Sequence, residues 1–504
     1  MFDRATAATP ALARPMAQIK PWHASLVVVL LAAIIHVIAP LDTDLYWLIS
    51  VCRRLLNGAR LYQDIVESNP PMAVFIYLPA TWIERVTGLP AESVFVAMIL
   101  ASGALSAWVF TRLARLDRWA LPIVLFIMLV APLSAFGERE HAATILTLPL
   151  LGLAIRRAKG EPIAWQMAIL IGVLAGMAAM IKPYFAAGPA AAYIWLAVHQ
   201  RRVSRLAAPE NLAAATAALL YMTAVSLWIP AYVNDVVPLV LDVYRPMREP
   251  LQTLASAPVL TCVIAAVCLS IAPGLRRLEP AVAIPLVVAL ASLVSYIDQG
   301  RGWAYHAWPA LSALMMATAF AIPAVFPTGT RTQTYVVLIA AIAAFANMAG
   351  FLVFSYPGKG VVPAIRAAVQ RPSVVNIAFN QSPSVPITAL AHGSWAGTYS
   401  SRWITVNANY LLHREHDPAK QARLRAWISY DRTVTNRDLM KRPDIVLIGL
   451  GPFDWPGWIN ADSQTRALMS NYAPLAEDRL TPQQRARFEG VAAYIRKDLL
   501  TPAH

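Results

Sequence analysis

From Ser25 to Tyr356 the chain repeats one pattern, in which runs of roughly 17–22 mostly apolar residues alternate with short polar loops. Each run is long enough for a helix to cross about 30 Å of hydrocarbon. The runs fall at 25–41, 91–111, 119–136, 141–155, 165–181, 183–199, 211–232, 255–273, 280–297, 304–325 and 334–356, which predicts about eleven transmembrane helices. The apolar stretch from Pro71 to Val86 is broken by Pro79 and closed by Glu84 and Arg85, so it fits a helix lying at the interface better than a span. Beyond Gly358 the pattern changes. Charged residues return, Ile445 to Leu450 reads as a buried strand, and Thr481-Pro482-Gln483-Gln484 has the cap, first-turn proline and glutamine of a helix start. The expected fold is a polytopic α-helical membrane protein with a small extracytoplasmic α/β C-terminal domain. Its parts are a cytoplasmic tail over 1–24, a transmembrane domain over 25–356 with a long first outer loop over 42–90, and the α/β domain over 357–504.

Composition excludes a soluble globular protein: of 504 residues 58% are hydrophobic and only 14% charged, with a mean hydropathy of +0.52. Arg4, Arg14 and Lys20 precede the first apolar run as in a signal peptide, but Pro40 and the lack of a small-x-small cleavage pattern favour a retained anchor. The net charge of +14 is spread over short loops beside apolar runs, which marks topology rather than nucleic-acid binding. Arg112, Arg115 and Arg118; Arg156, Arg157 and Lys159; Arg201, Arg202 and Arg205; Arg276 and Arg277; and Arg331 occupy every second loop. Those loops and the N-terminus are therefore expected in the cytoplasm, and the C-terminal domain outside it, in the periplasm if the protein sits in a cell inner membrane. A crossing at 71–86 would break the alternation at every later loop. Trp22, Trp47, Trp119, Trp165 and Trp303 stand at run ends, as interfacial rings do. Cys52, Cys262 and Cys268 have neither disulfide nor zinc-ligand spacing.

The other set of loops holds the chemistry. Asp42-Thr43-Asp44 follows the first run, then come Gly58, Tyr62, Asp64, Glu67 and Asn69-Pro70-Pro71. Glu138-Arg139-Glu140-His141 follows the third run, and Lys182 precedes Pro183 after the fifth. Asp242, Tyr244, Arg245, Arg248 and Glu249 lie between the seventh and eighth, and Asp298, Arg301, Trp303, Tyr305 and His306 around the start of the tenth. Singly, each has a bland reading: Asp-x-Asp can cap a helix, Glu138 to His141 can form an ion-paired turn, Lys182 can snorkel, and His36 inside the first run reads as a satisfied bundle residue. Together they put acids and cations on one face, where ionisable groups beside hydrocarbon usually mark a site. Carboxylates can take a proton from an incoming hydroxyl while Arg and Lys hold a phosphate leaving group.

Asp42-Thr43-Asp44, Gly58-x3-Tyr62-x-Asp64 and Asn69-Pro70-Pro71 in this order resemble the first outer loop of glycosyltransferase-C enzymes of the protein-mannosyltransferase and aminoarabinose-transferase type. Gly172-x3-Gly176 running to Lys182-Pro183 is similar to theirs as well, so the resemblance covers about residues 25–356. It implies an inverting transfer of a sugar from a polyprenyl-phosphate-linked donor to an extracytoplasmic lipid, polysaccharide or protein. Asp42 would be the base, Asp44 its partner, and Glu138 or Glu140 a second acid. Several relatives have Lys before the paired prolines where this chain has Asn69, so the donor phosphate would lean on Lys182, Arg139, Arg245, Arg248 or Arg301. Tyr62, Asp64, His141, Tyr305 and His306 complete the candidate set as substrate-binding residues. Carboxylates near a phosphate could recruit a divalent metal, but no cage of ligands, and no cofactor motif, is visible. A transporter or flippase of a lipid-linked saccharide is the main rival; it should show internal repeats and polar groups near the midplane. A noncatalytic subunit would leave Asp42, Glu138, Lys182 and His306 without a role.

Overall fold

The computed structural model describes residues 20–255, 257–271, 278–325, 330–346, 348, 359–475 and 490–500. Arg4, Arg14, Arg276, Arg277, the end of the last expected span and the helix start at Thr481 lie outside them. A helix occupies each of the eleven apolar intervals. Among the described residues four of these helices, α1 (Pro21–Ile38), α5 (Ala91–Ala114), α10 (Pro209–Trp228) and Pro280–Gln299, are long and apolar enough to cross a membrane. Four shorter apolar helices, at Ala120–Val130, Trp165–Ile181, Pro258–Ser270 and Arg331–Ala346, stand among them.

Between α1 and α5 the chain forms α2 (Thr43–Leu56), a looped segment, α3 (Pro71–Phe75) and α4 (Leu78–Thr87). The expected single interfacial helix is thus two short ones. Pro79 removes a backbone donor in the first turn of α4, a position that tolerates it, so the chain restarts there instead of continuing. The next bundle helices are α6 (Ala120–Leu125), which runs into a π-helical turn Phe126–Val130, α7 (Arg139–Ala158), α8 (Trp165–Ile181) and α9 (Ala187–Gln200). Gly172 and Gly176 let α8 and α10 touch: a Cβ on either would stand 2.2 Å from the Glu210 carbonyl oxygen or 2.8 Å from that of Ala214. His36 is a bundle residue, as expected, with Nε2 2.8 Å from the Leu129 carbonyl and its ring stacked on Phe136.

The basic loops meet one another. Arg115 pairs with Glu161 at 2.8 Å, Lys159 donates to the Ala114 carbonyl at 2.8 Å, and the Arg157 guanidinium binds buried Glu210, which also accepts from Tyr193 at 2.6 Å. The acid-bearing loops meet at the opposite ends of the helices, beneath a five-stranded sheet.

That sheet has the order β2-β1-β3-β5-β4, with β1 (Ser373–Ile377), β2 (Ser394–Trp395), β3 (Ile445–Gly449), β4 (Tyr472–Pro474) and β5 (Val491–Arg496). β1 pairs in parallel with β2 and β3, while β5 runs antiparallel to β3 and β4. The wholly buried β3 falls where the run Ile445 to Leu450 predicts a strand, since a central strand covered on both faces has no polar side to alternate with. The sheet region is tied to the helical part through backbone and side chains alike. Val66 donates its N–H to the Thr398 carbonyl at 2.9 Å, Arg54 donates to the Gly397 carbonyl at 2.6 Å, and Trp427 donates to Asp242 at 3.2 Å.

Candidate active site

A cavity of about 1120 Å³ lies at this junction. Its floor comes from the starts of α2 and α7, the end of α8 and the 244–250 and 301–305 loops; its roof comes from the sheet region.

Asp42 and Asp44 reach the floor because of Pro40. The residue before a proline avoids helical backbone, so α1 stops and Ala39 is extended (φ −73°, ψ 136°). Asp42 then caps α2, its carboxylate accepting the Asp44 N–H at 3.1 Å. The capping reading of Asp-x-Asp therefore holds, and the same residues line the cavity. Asp44, in the first turn where the helix dipole favours an anion, is fully engaged: it accepts from Arg139 and from Gln381, and from the Tyr305 hydroxyl at 3.2 Å. Asp42 is the freer acid. Burial first, and then the Asp44 charge, push its carboxyl up to about 6.

Glu138, Arg139 and Glu140 are delivered in one turn by Gly137. Its φ of +80° suits glycine, and a Cβ there would come within 2.9 Å of the Leu45 and Phe95 side chains. Glu138 is fully buried behind Asp42, and neither of its oxygens has a hydrogen-bond donor within reach. Burial and then the charges of the two aspartates hold it well above the usual carboxylate range, which favours its protonated form beside Asp42. Glu140, also fully buried, accepts from Lys182 Nζ at 2.8 Å. Pro183 sets this contact up by forcing Lys182 into an extended conformation (φ −150°, ψ 135°) at the end of α8. Burial lowers the Lys182 pKa, and the Glu140 charge opposes that shift.

Of the expected cations, Arg139, Lys182, Arg248 and Arg301 line the cavity. Arg301 is held in place, donating to the Tyr244 and Met247 carbonyls at 2.5 and 2.6 Å with its guanidinium 3.6 Å above the Tyr244 ring. Arg245 is exposed and does not line the cavity. Asn69 does line it, but its amide donates to buried Glu67 at 2.6 Å.

Four further candidates do not line this cavity. Tyr62 is buried with its hydroxyl donating to the Asn69 carbonyl at 2.6 Å, and Asp64 closes a surface turn by accepting from the Arg60 N–H at 2.9 Å. His141 accepts the Gly137 N–H at Nδ1 (3.0 Å) and so donates from Nε2 to the Met128 carbonyl (2.7 Å). His306 lies behind the floor with Nε2 3.6 Å from Glu140, on a separate cleft of about 30 Å³. Sequence reasoning missed the roof: Phe379, Asn380, Gln381, Asn407, Tyr410 and Arg414 belong to no motif. Among the described residues no group of three or more His, Cys, Asp or Glu side chains could hold a metal ion.

The helical bundle with its sheet region and polar junction is a fold shared with solved membrane-protein structures. The particular match is to ArnT from Cupriavidus metallidurans. Its crystal structure bound to undecaprenyl phosphate superposes with a TM-score of 0.55 at 12% identity, over 96% of this chain and 98% of that one. The apo structure of the same protein gives 0.52 at 14% identity over the same shares. At such identities the likeness is one of fold. No family model and no curated protein sequence matches the chain.

Proposed function

We propose that the protein is an integral-membrane, inverting glycosyltransferase that moves a sugar from a polyprenyl-phosphate-linked donor to an extracytoplasmic acceptor. The carrying observation is the division of labour on the cavity floor: Asp42 is left with a free face, Asp44 is saturated by three donors, and Lys182, Arg139 and Arg301 stand on the same surface. In the transfer the acceptor hydroxyl attacks the anomeric carbon and gives its proton to Asp42. The bond to the phosphate breaks on the far side, and the lipid phosphate leaves against the cations. Glu138, which touches neither substrate, acts as a positioning residue for Asp42. A fold shared with a protein crystallised with undecaprenyl phosphate supports the choice of donor.

The reading includes eleven crossings, residues 25–356 as the membrane domain, and residues 357–504 on the extracytoplasmic side, in the periplasm where there are two membranes. Segregation of the basic loops from the acid-bearing loops supports that sidedness. Detergent-purified protein supplied with polyprenyl-phosphate sugars and an envelope-derived acceptor should form glycosylated product, and Asp42→Asn should abolish most of it. Failure of the wild type across a broad donor panel would refute the proposal.

A further inference from the structure

The cavity's two faces differ in chemistry. Among the described residues the floor is ionic, with Asp42, Asp44, Arg139, Lys182, Arg248 and Arg301, whereas the roof offers amides, hydroxyls and aromatic rings with one cation, Arg414. The roof sits where an α/β sheet normally binds ligands, at the carboxyl ends of parallel strands. The loop after β1 supplies Phe379 to Ser382, and the loop after β2 supplies Ser400 and Ser401.

These loops are built to stay in place. Buried Asn376 donates to both the Asn380 and Ser400 carbonyls, at 3.2 and 3.1 Å. The fully buried Arg402 guanidinium is held by Asp431 at 3.3 Å and Asp438 at 2.9 Å, and the Arg402 N–H donates to the Ala378 carbonyl at 2.7 Å. On this braced surface Gln381 is engaged with Asp44, and Asn380 Oδ1 accepts the Ser382 N–H at 3.3 Å, while other lining groups are left for a ligand. Asn407 is 3% exposed, yet its Oδ1 has no partner. Phe379 and Tyr410 are 47% and 44% exposed, and the Arg414 guanidinium stands 4.0 Å from the centre of the Tyr410 ring.

We propose that this roof is a saccharide subsite that holds a neutral sugar ring of the acceptor. The apolar face of a pyranose packs on an aromatic ring, and its hydroxyls both donate and accept, as Asn380, Ser400 and Asn407 require. An acidic headgroup would find one cation here and four on the floor. The acceptor is accordingly a glycan or a glycosylated lipid, not a simple phospholipid or an unmodified peptide. This rests on the transferase reading for the word acceptor, but sugar binding itself can be measured without transfer.

The experiment is saturation-transfer NMR on the detergent-purified full chain, with maltotriose, cellotriose and mannotriose as probes and dodecyl phosphate and a neutral hexapeptide as controls. At least one trisaccharide should receive saturation from the wild type. Tyr410→Ala, at a half-exposed position, should weaken that binding roughly tenfold, and Asn407→Ala should also weaken it, both leaving dodecyl phosphate binding unchanged. Saturation of no trisaccharide, equal binding in wild type and Tyr410→Ala, or transfer to the hexapeptide alone would overturn the subsite. Sugar binding with no glycosyl transfer would keep the subsite and count against the transferase instead.

Discussion

Gln381, on the loop after β1, donates a hydrogen bond to the Asp44 carboxylate across 337 positions of sequence. Through it the sheet region takes part in the acid pair on the cavity floor, because Asp44 in turn sets the charge felt by Asp42. Gln381 is a positioning residue. Gln381→Ala should lower kcat about tenfold, with the donor KM little changed. It should also move the acid limb of the pH–rate profile upward, because an Asp44 with fewer donors repels a second negative charge more strongly. A lower protein yield with an unmoved pH limb would reduce Gln381 to a structural contact.

The pH profile itself is predictable. Asp42 accepts a proton only when ionised, and its carboxyl lies at about 6. Below that pH kcat/KM should fall about tenfold per unit, and above it the rate should level off. A carboxylate at its ordinary value would keep the rate flat to near pH 4.

Glu138 separates protonated from ionised roles. Burial and the nearby aspartates favour its protonated form, so Glu138→Gln, which keeps a neutral donor beside Asp42, should stay within about fivefold of wild type. Glu138→Ala should lose roughly 10- to 100-fold, at the low end of what positioned proton-transfer groups contribute. If Glu138→Gln is as impaired as Asp42→Asn, Glu138 must ionise during turnover.

Lys182 has two partners in play, buried Glu140 and the cavity. Lys182→Ala strands a fully buried carboxylate, a loss on the order of 3–5 kcal/mol, so it should lower protein abundance as well as donor use. Adding Glu140→Gln should recover the abundance, measured by detergent extraction, but not the donor affinity. Recovery of both would take Lys182 out of the phosphate site.

The helices and β3 were legible because burial repeats along the chain: apolar runs of spanning length, and the unbroken apolar run of a central strand. Asp42, Asp44, Arg139, Lys182 and Arg301 were legible because ionised groups beside hydrocarbon are rare. Tyr62, Asp64 and His141 lie outside the cavity lining, and a polar group that shapes a tight loop or satisfies a helix end looks the same in sequence as one that faces a ligand. The roof left no trace, because Gln381, Asn407 and Tyr410 are ordinary residues of a polar domain. Only the folding of that domain over α2 and α7 brings them to the floor.

The most direct measurement is the initial rate of glycosyl transfer by detergent-purified wild type and Asp42→Asn, with polyprenyl-phosphate sugar and acceptor both supplied. Asparagine keeps the size of the side chain and its cap on α2 but cannot take up the acceptor's proton. Donor binding should therefore persist while the rate falls by about 10² to 10⁴, the usual worth of a general base. A wild type that transfers sugar while Asp42→Asn matches its rate would contradict the assignment of Asp42, and a wild type that makes no product from any donor would contradict the enzyme.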